Sequence, residues 1–218
     1  MNDPLNLNTH GKTIGTGQAV FMGCSFTTGV GVDPDQRYSS LMAKHWGVQE
    51  VNLGTLILNN YKSFDVFSQL KFSSSGNPVV LQLTELSRIQ TYQSQAPSIR
   101  FLSNQPSRSY LEVYNDQFLI FELVKNLRWF VAMCRMQRLN LVMWSIARLE
   151  HSLHMMLEQY LGQYQEYVFL SSILGDPESY RVDNGSDGTD QLGTGHPGPL
   201  SHQRIAEKLL HHYHKLYQ

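Results

Sequence analysis

Short apolar runs alternate along this chain with longer stretches whose apolar residues recur every third or fourth position, and that alternation predicts its elements. Ala19-Val20-Phe21-Met22 ends at Gly23 and reads as a buried strand over 19–23. Runs at 50–54, 79–83, 139–145 and 167–170 read the same way. Helical spacing puts Ile120, Leu123, Val124, Leu127, Phe130, Val131 and Cys134 on one face of a helix over 114–138. It does the same for Ile205, Ala206, Leu209, Leu210, Tyr213 and Leu216 in a last helix over 201–216. Shorter helices are expected at 38–46, stopped by Gly47, at 65–72 and at 155–164. Residues 1–18 read as a loose polar lead-in and 73–78 as a loop. From 87 to 113 the chain is polar and carries Pro97 and Pro106, an insertion expected near the mouth of a site. Strands alternating with helices, without a hairpin signal, predict an α/β fold of three layers, α/β/α, around a central parallel sheet of about five strands.

At 218 residues, a single domain over 1–218, with that insertion, accounts for the chain. Charged residues make up 16% and the net charge is −1, which offers nothing to nucleic acid or an anionic membrane. Cys24 and Cys134 both stand in apolar surroundings and supply no disulfide framework, so reduced thiols and a cytoplasmic protein are expected. The first residues lack the basic and apolar regions of a leader, and no apolar run approaches the roughly 18 residues of a membrane span.

Chemistry concentrates at two places. Gly23-Cys24-Ser25-Phe26-Thr27-Thr28-Gly29 puts the Ser25 hydroxyl at the carboxyl end of a strand, where open α/β sheets hold their ligands. Its plain alternative is a capping serine at a helix start. Near the other end, Gly195-His196-Pro197-Gly198 offers a base for the serine proton, since an ordinary imidazole titrates near 6.5; the alternative is a histidine in a Pro-Gly turn. The spacing is not that of the Gly-x-Ser-x-Gly nucleophile elbow, because Thr27 occupies the second glycine position. An anion-binding loop at 23–31 is a third reading, weakened by the missing Gly-Lys-Ser/Thr ending. His202 reads as structural. His211, His212 and His214 lack a second cluster to complete a metal site and read as a solvated helix tail.

Gly23-Cys24-Ser25-Phe26-Thr27-Thr28-Gly29 resembles the first sequence block of the SGNH (GDSL-type) hydrolases, and Gly195-His196-Pro197-Gly198 with His202, Ile205 and Ala206 resembles their last. The resemblance implies a flavodoxin-like sheet and a serine esterase or acyl transferase that works through an acyl-enzyme on an ester or acylated small molecule. It implies no cofactor and no metal. Ser25 is then the nucleophile and His196 the base. The family sets its aspartate three residues before the histidine, where Gly193 stands here, so Asp190 is expected in that role, or else Asp187 or Asp183 from the same glycine-rich loop. The oxyanion donors implied are the Ser25 N–H, Gly54 of the block-like Asn52-Leu53-Gly54, and the Thr84 hydroxyl, where Leu83-Thr84-Glu85-Leu86 replaces Gly-x-Asn-Asp. Arg88 is either a clamp for an anionic substrate group or a surface ion-pair partner. Because the middle blocks depart from the pattern, a catalytically weak or inactive binding module of the same fold is the alternative.

Overall fold

Five of the apolar runs become the strands of one sheet, because each carries side chains for both faces of a buried pleat. A computed structural model describes residues 11–55, 60–84, 88–93, 96–101, 116–145, 159–170, 179–186 and 196–218, with the backbone alone described at 88–93, 96–101 and 116–117. The sheet consists of β2 (Gln18–Met22), β3 (Gln49–Asn52), β5 (Pro78–Leu83), β8 (Asn140–Ser145) and β9 (Tyr167–Phe169), in the order β3-β2-β5-β8-β9, and every pairing is parallel. Between these strands run α1 (Ser25–Thr28), α2 (Tyr38–Trp46), α3 (Asn60–Ser68) and α4 (Asp116–Met136); α5 (Pro199–Tyr217) closes the chain.

Alternation along each strand sorts the core into two layers. Val20, Met22, Val79, Leu81, Leu141 and Met143 face α3 and α4, where they meet Phe64, Phe67, Leu123, Leu127 and Phe130. Ala19, Phe21, Val80, Val142 and Trp144 face α2 and α5, where they meet Tyr38, Met42, Ile205 and Leu209. The expected three-layer architecture is therefore the observed one. Helix α5 starts at Pro199, two residues earlier than its apolar face suggests, since proline suits the first turn, where no N–H is needed.

The sequence expectations differ from the structure at short strands and at strands interrupted by polar residues. The segment expected as a helix over 65–72 is helical at Asn60–Ser68, and Lys71–Phe72 forms a short strand, β4. It pairs in parallel with β1 (Thr13–Ile14), so part of the lead-in expected to be loose is tied down, with Ile14 fully buried. Two-residue strands carry no periodicity to read. Within the polar 87–113 stretch, β6 (Arg88–Gln93) and β7 (Ala96–Phe101) pair antiparallel, which corrects the reading of no hairpin. Pro97 and the glutamines obscured an alternation that includes Ile89, Thr91, Ile99 and Phe101. The described part of the helix expected at 155–164 is helical at residues 159–161.

Candidate active site

The chain leaves β2 at Met22 and turns through Gly23 and Cys24 directly into α1, so Ser25 stands at the first position of a helix at the carboxyl end of a central strand. The first N–H groups of a helix lack acceptors within it, and the Ser25 N–H is one of these. A Cβ on Gly23 would lie 2.6 Å from Gln82 Cβ, so only glycine lets this turn sit against β5. The Ser25 side chain is almost covered (5% exposed), and among the described residues its hydroxyl makes one long contact, 3.9 Å, to Cys24 Sγ.

Beneath the turn runs a buried polar chain. Thr27 Oγ1 donates to Gln82 Oε1 at 2.7 Å, which leaves the Tyr38 hydroxyl as the donor to Thr27 Oγ1 at 2.8 Å. Gln82 Nε2 donates in turn to Cys24 Sγ at 3.2 Å. From the other side, Asn52 Nδ2 donates to Thr27 O at 2.6 Å and Arg37 Nη1 to Thr28 O at 3.3 Å, so the last carbonyls of α1 are held by two side chains. Arg37 is itself fixed in a two-pronged pair with Glu50, at 3.1 and 2.8 Å. Burial would raise the Glu50 carboxyl, but hydrogen bonds from Arg37, Ser39, Ser40 and Asn52 hold it below its ordinary value. Gln82, Asn52, Arg37, Glu50, Thr27 and Tyr38 form a scaffold that the sequence reading did not assign. Gln82 carried a usable signal: it is a lone polar residue inside an otherwise apolar strand.

His196 arrives from the far end of the chain. Residues 183–186 run beside 196–198 through an antiparallel bridge between Asn184 and Pro197, and Gly185 N–H donates to His196 O at 2.9 Å. The same strip is stitched to the serine turn, because Ser186 N–H donates to Gly31 O at 2.7 Å. The His196 ring meets the ring of Phe26, the residue after Ser25, edge to face with centroids 5.7 Å apart. The two blocks read from opposite ends of the sequence thus share one end of the sheet.

The other expected site residues fall out differently. Asp183, the most distant of the three candidate aspartates, caps α5: its carboxylate accepts from Leu200 N–H (2.9 Å), Ser201 N–H (2.7 Å) and Ser201 Oγ (2.6 Å). Asp187 and Asp190 lie outside the described residues, as does the side chain of Arg88, whose backbone begins β6. The Gly54 N–H is taken up by Asn52 Oδ1 at 2.9 Å, against the expectation of a free donor there. What this glycine supplies is room, since a Cβ would lie 2.7 Å from the Thr28 nitrogen and 2.8 Å from Thr27 Cβ. The Thr84 hydroxyl makes one long contact, 3.4 Å, to Asn60 Oδ1, while the Asn60 amide clamps the Thr84 backbone at 2.8 and 3.0 Å.

His202 is fully buried, and its Nδ1 accepts the first N–H of α2, from Tyr38, at 3.2 Å, with the two rings stacked. The bond sets the tautomer, so Nε2 carries the proton and is buried without a partner among the described residues. Burial pushes its pKa down to about 4, with Asp183 opposing and the charges of His196 and Arg37 adding to the depression. A group whose folded value lies below its unfolded one contributes stability that is complete above the unfolded value near 6.5. That contribution, on the order of 3 kcal/mol, is lost as pH falls from 6.5 toward 4. The thermal midpoint is expected to drop across that window and to drop less in His202→Gln, as followed by circular dichroism; parallel curves for the two proteins would contradict this.

A cavity of about 270 Å³ opens at the opposite end of the sheet, among Gln18, Trp46, Asn77, Pro78 and Tyr213, at the strand starts and therefore away from Ser25. Among the described residues no helix is long and apolar enough to cross a membrane, and no group of three or more His, Cys, Asp or Glu side chains could hold a metal ion.

No protein-family model and no curated protein matches the sequence. Solved structures do match. A carbohydrate esterase, whose active site is described as displaying divergent catalytic and non-catalytic binding functions, aligns over 92% of this chain and 68% of its own, at 13% identity and a TM-score of 0.55. A protein from Desulfitobacterium hafniense DCB-2, described as a lipolytic protein of the G-D-S-L family, aligns over 90% and 99% at 10% identity and a TM-score of 0.53. The psychrotrophic esterase EstA from Pseudoalteromonas sp., in a structure inhibited by monoethylphosphonate, aligns over 92% and 98% at 9% identity and a TM-score of 0.53. This chain has the fold of the SGNH (GDSL-type) hydrolases.

Proposed function

We propose that this chain is a serine esterase or acyl transferase acting on an ester or acylated small molecule. The observation that carries the proposal is the meeting of His196 with the Ser25 turn, through the Phe26 contact and the Ser186–Gly31 bond, at the carboxyl end of β2. Ser25 Oγ attacks the carbonyl carbon and His196 takes its proton, forming a tetrahedral oxyanion. The imidazolium returns that proton to the leaving alkoxide as the carbon–oxygen bond breaks, leaving an acyl-serine. Water, or another hydroxyl in a transferase, then bonds the acyl carbon while giving its proton to His196, and the imidazolium passes that proton to Ser25 Oγ as the acyl–serine bond breaks. The Ser25 N–H, at the first position of α1, is the first oxyanion donor, and the loosely held Thr84 hydroxyl is the second. With Asp183 occupied as a helix cap, Asp190 is the carboxylate proposed to orient the imidazole.

Labelling with an alkyl fluorophosphonate tests this directly, since only an activated serine is phosphonylated; the inhibition of the fold relative EstA by a phosphonate supports the choice of probe. One phosphonyl group on Ser25, located by peptide mass mapping, is the expected result. Absence of labelling would favour a binding module that keeps the fold without the chemistry, in line with a Gly54 amide already engaged.

A further inference from the structure

The histidines of the final helix find a partner that no spacing along the chain could reveal. His214, in the last turn of α5, places its Nε2 3.3 Å from Nε2 of His45, in the last turn of α2. The two rings stand nearly at right angles, 82°, with centroids 5.4 Å apart. His214 Nδ1 is bonded to Gln218 Oε1. That acceptor requires the proton on Nδ1, so the His214 Nε2 lone pair points toward His45. In a metal-binding histidine the same arrangement, a carbonyl oxygen accepting from the ring nitrogen that does not hold the metal, fixes the tautomer and the ring orientation.

We propose that His45 and His214 form a two-histidine site for a divalent transition-metal ion of the zinc type. Two nitrogens bound to one tetrahedral zinc at about 2.0–2.1 Å stand about 3.3–3.4 Å apart, which is the spacing found here. Imidazole is a ligand suited to zinc, nickel and copper rather than to magnesium or calcium. Water fills the remaining positions, because both side chains reach the surface. In the metal-free protein the His45 Nε2–H donates to His214; on binding, that proton moves through solvent to His45 Nδ1 and the freed lone pair takes the metal.

Two further features favour a cation there. Both imidazoles lie in the last turns of their helices, so the negative ends of two helix dipoles converge on the site. The helices are also locked side by side just behind it, where the Trp46 and Tyr213 rings pack with centroids 4.6 Å apart, so little ordering remains when the metal binds. His212 takes no part: its Nε2 is bonded to Gln165 O at 2.9 Å. The site lies at the far end of α5 from His196, so ester chemistry does not depend on it.

Titration calorimetry of the full chain with zinc chloride, compared with His45→Gln, His214→Gln and the double variant, tests the proposal. One zinc per chain is expected for the parent, with affinity at least about tenfold lower in either single variant and no lower still in the double, since losing one arm ends the chelation. A copper-loaded parent should show electron-spin coupling to two imidazole nitrogens, and each variant to fewer. Unchanged zinc affinity in the single variants, or no one-to-one binding by the parent, would overturn the site.

Discussion

Ser25→Ala is expected to abolish turnover of a chromogenic ester, by about four orders of magnitude or more, while the protein stays folded. The variant removes one oxygen from a nearly covered side chain whose hydroxyl, among the described residues, makes a single 3.9 Å contact, so little packing or hydrogen bonding goes with it. Backbone bonds that define α1, such as Gly29 N–H to Ser25 O at 2.9 Å, do not involve the side chain. The thermal midpoint should therefore stay close to that of the parent, and phosphonate labelling should vanish with the activity. Turnover that survives, or a phosphonyl group mapped to another serine of the parent, would remove Ser25 from the chemistry.

His196→Ala should cost about 1000-fold or more in kcat, because nucleophile and base act as one unit. Alanine also deletes the ring that packs on Phe26, so the informative partner is His196→Gln, which keeps much of the bulk and cannot serve as a base. Equal losses in the two variants point to the proton transfer; a large loss in alanine alone points to packing. Near-parental kcat in His196→Gln would reduce the residue to a turn histidine.

The two ends of the candidate site were legible because their signals are local. Ser25 followed an apolar run and preceded glycines, and His196 stood in a Gly-His-Pro-Gly stretch before an amphipathic helix; both features survive without any knowledge of contacts. The supporting residues were not legible for the opposite reason. Gln82, Tyr38 and Arg37 act on α1 from other elements, and nothing in their own neighbourhoods announces the partner. Gly54 reads from the sequence as a glycine at a strand end with an N–H to donate; that its N–H meets Asn52 and that Thr27 and Thr28 leave no room for a side chain there depends on how closely other elements approach. The β6–β7 hairpin and the β1–β4 pair were missed because their strands are short or interrupted by polar residues and proline.

What the sequence by itself determined is the class of the fold and the address of the serine. Apolar runs at regular distances, separated by helical periodicity, admit few arrangements other than a covered parallel sheet, and the end of a central strand is where such a sheet exposes a residue. What only the tertiary structure decided is every relation between residues distant in the chain. It brings His196 onto Phe26, sets His202 under the first turn of α2, and turns His214 of the expected helix tail toward His45 at 3.3 Å. The physical reason is the same in each case. Periodicity records which face of an element is buried, whereas the partner met across that face depends on crossovers and helix packing, which no local pattern encodes.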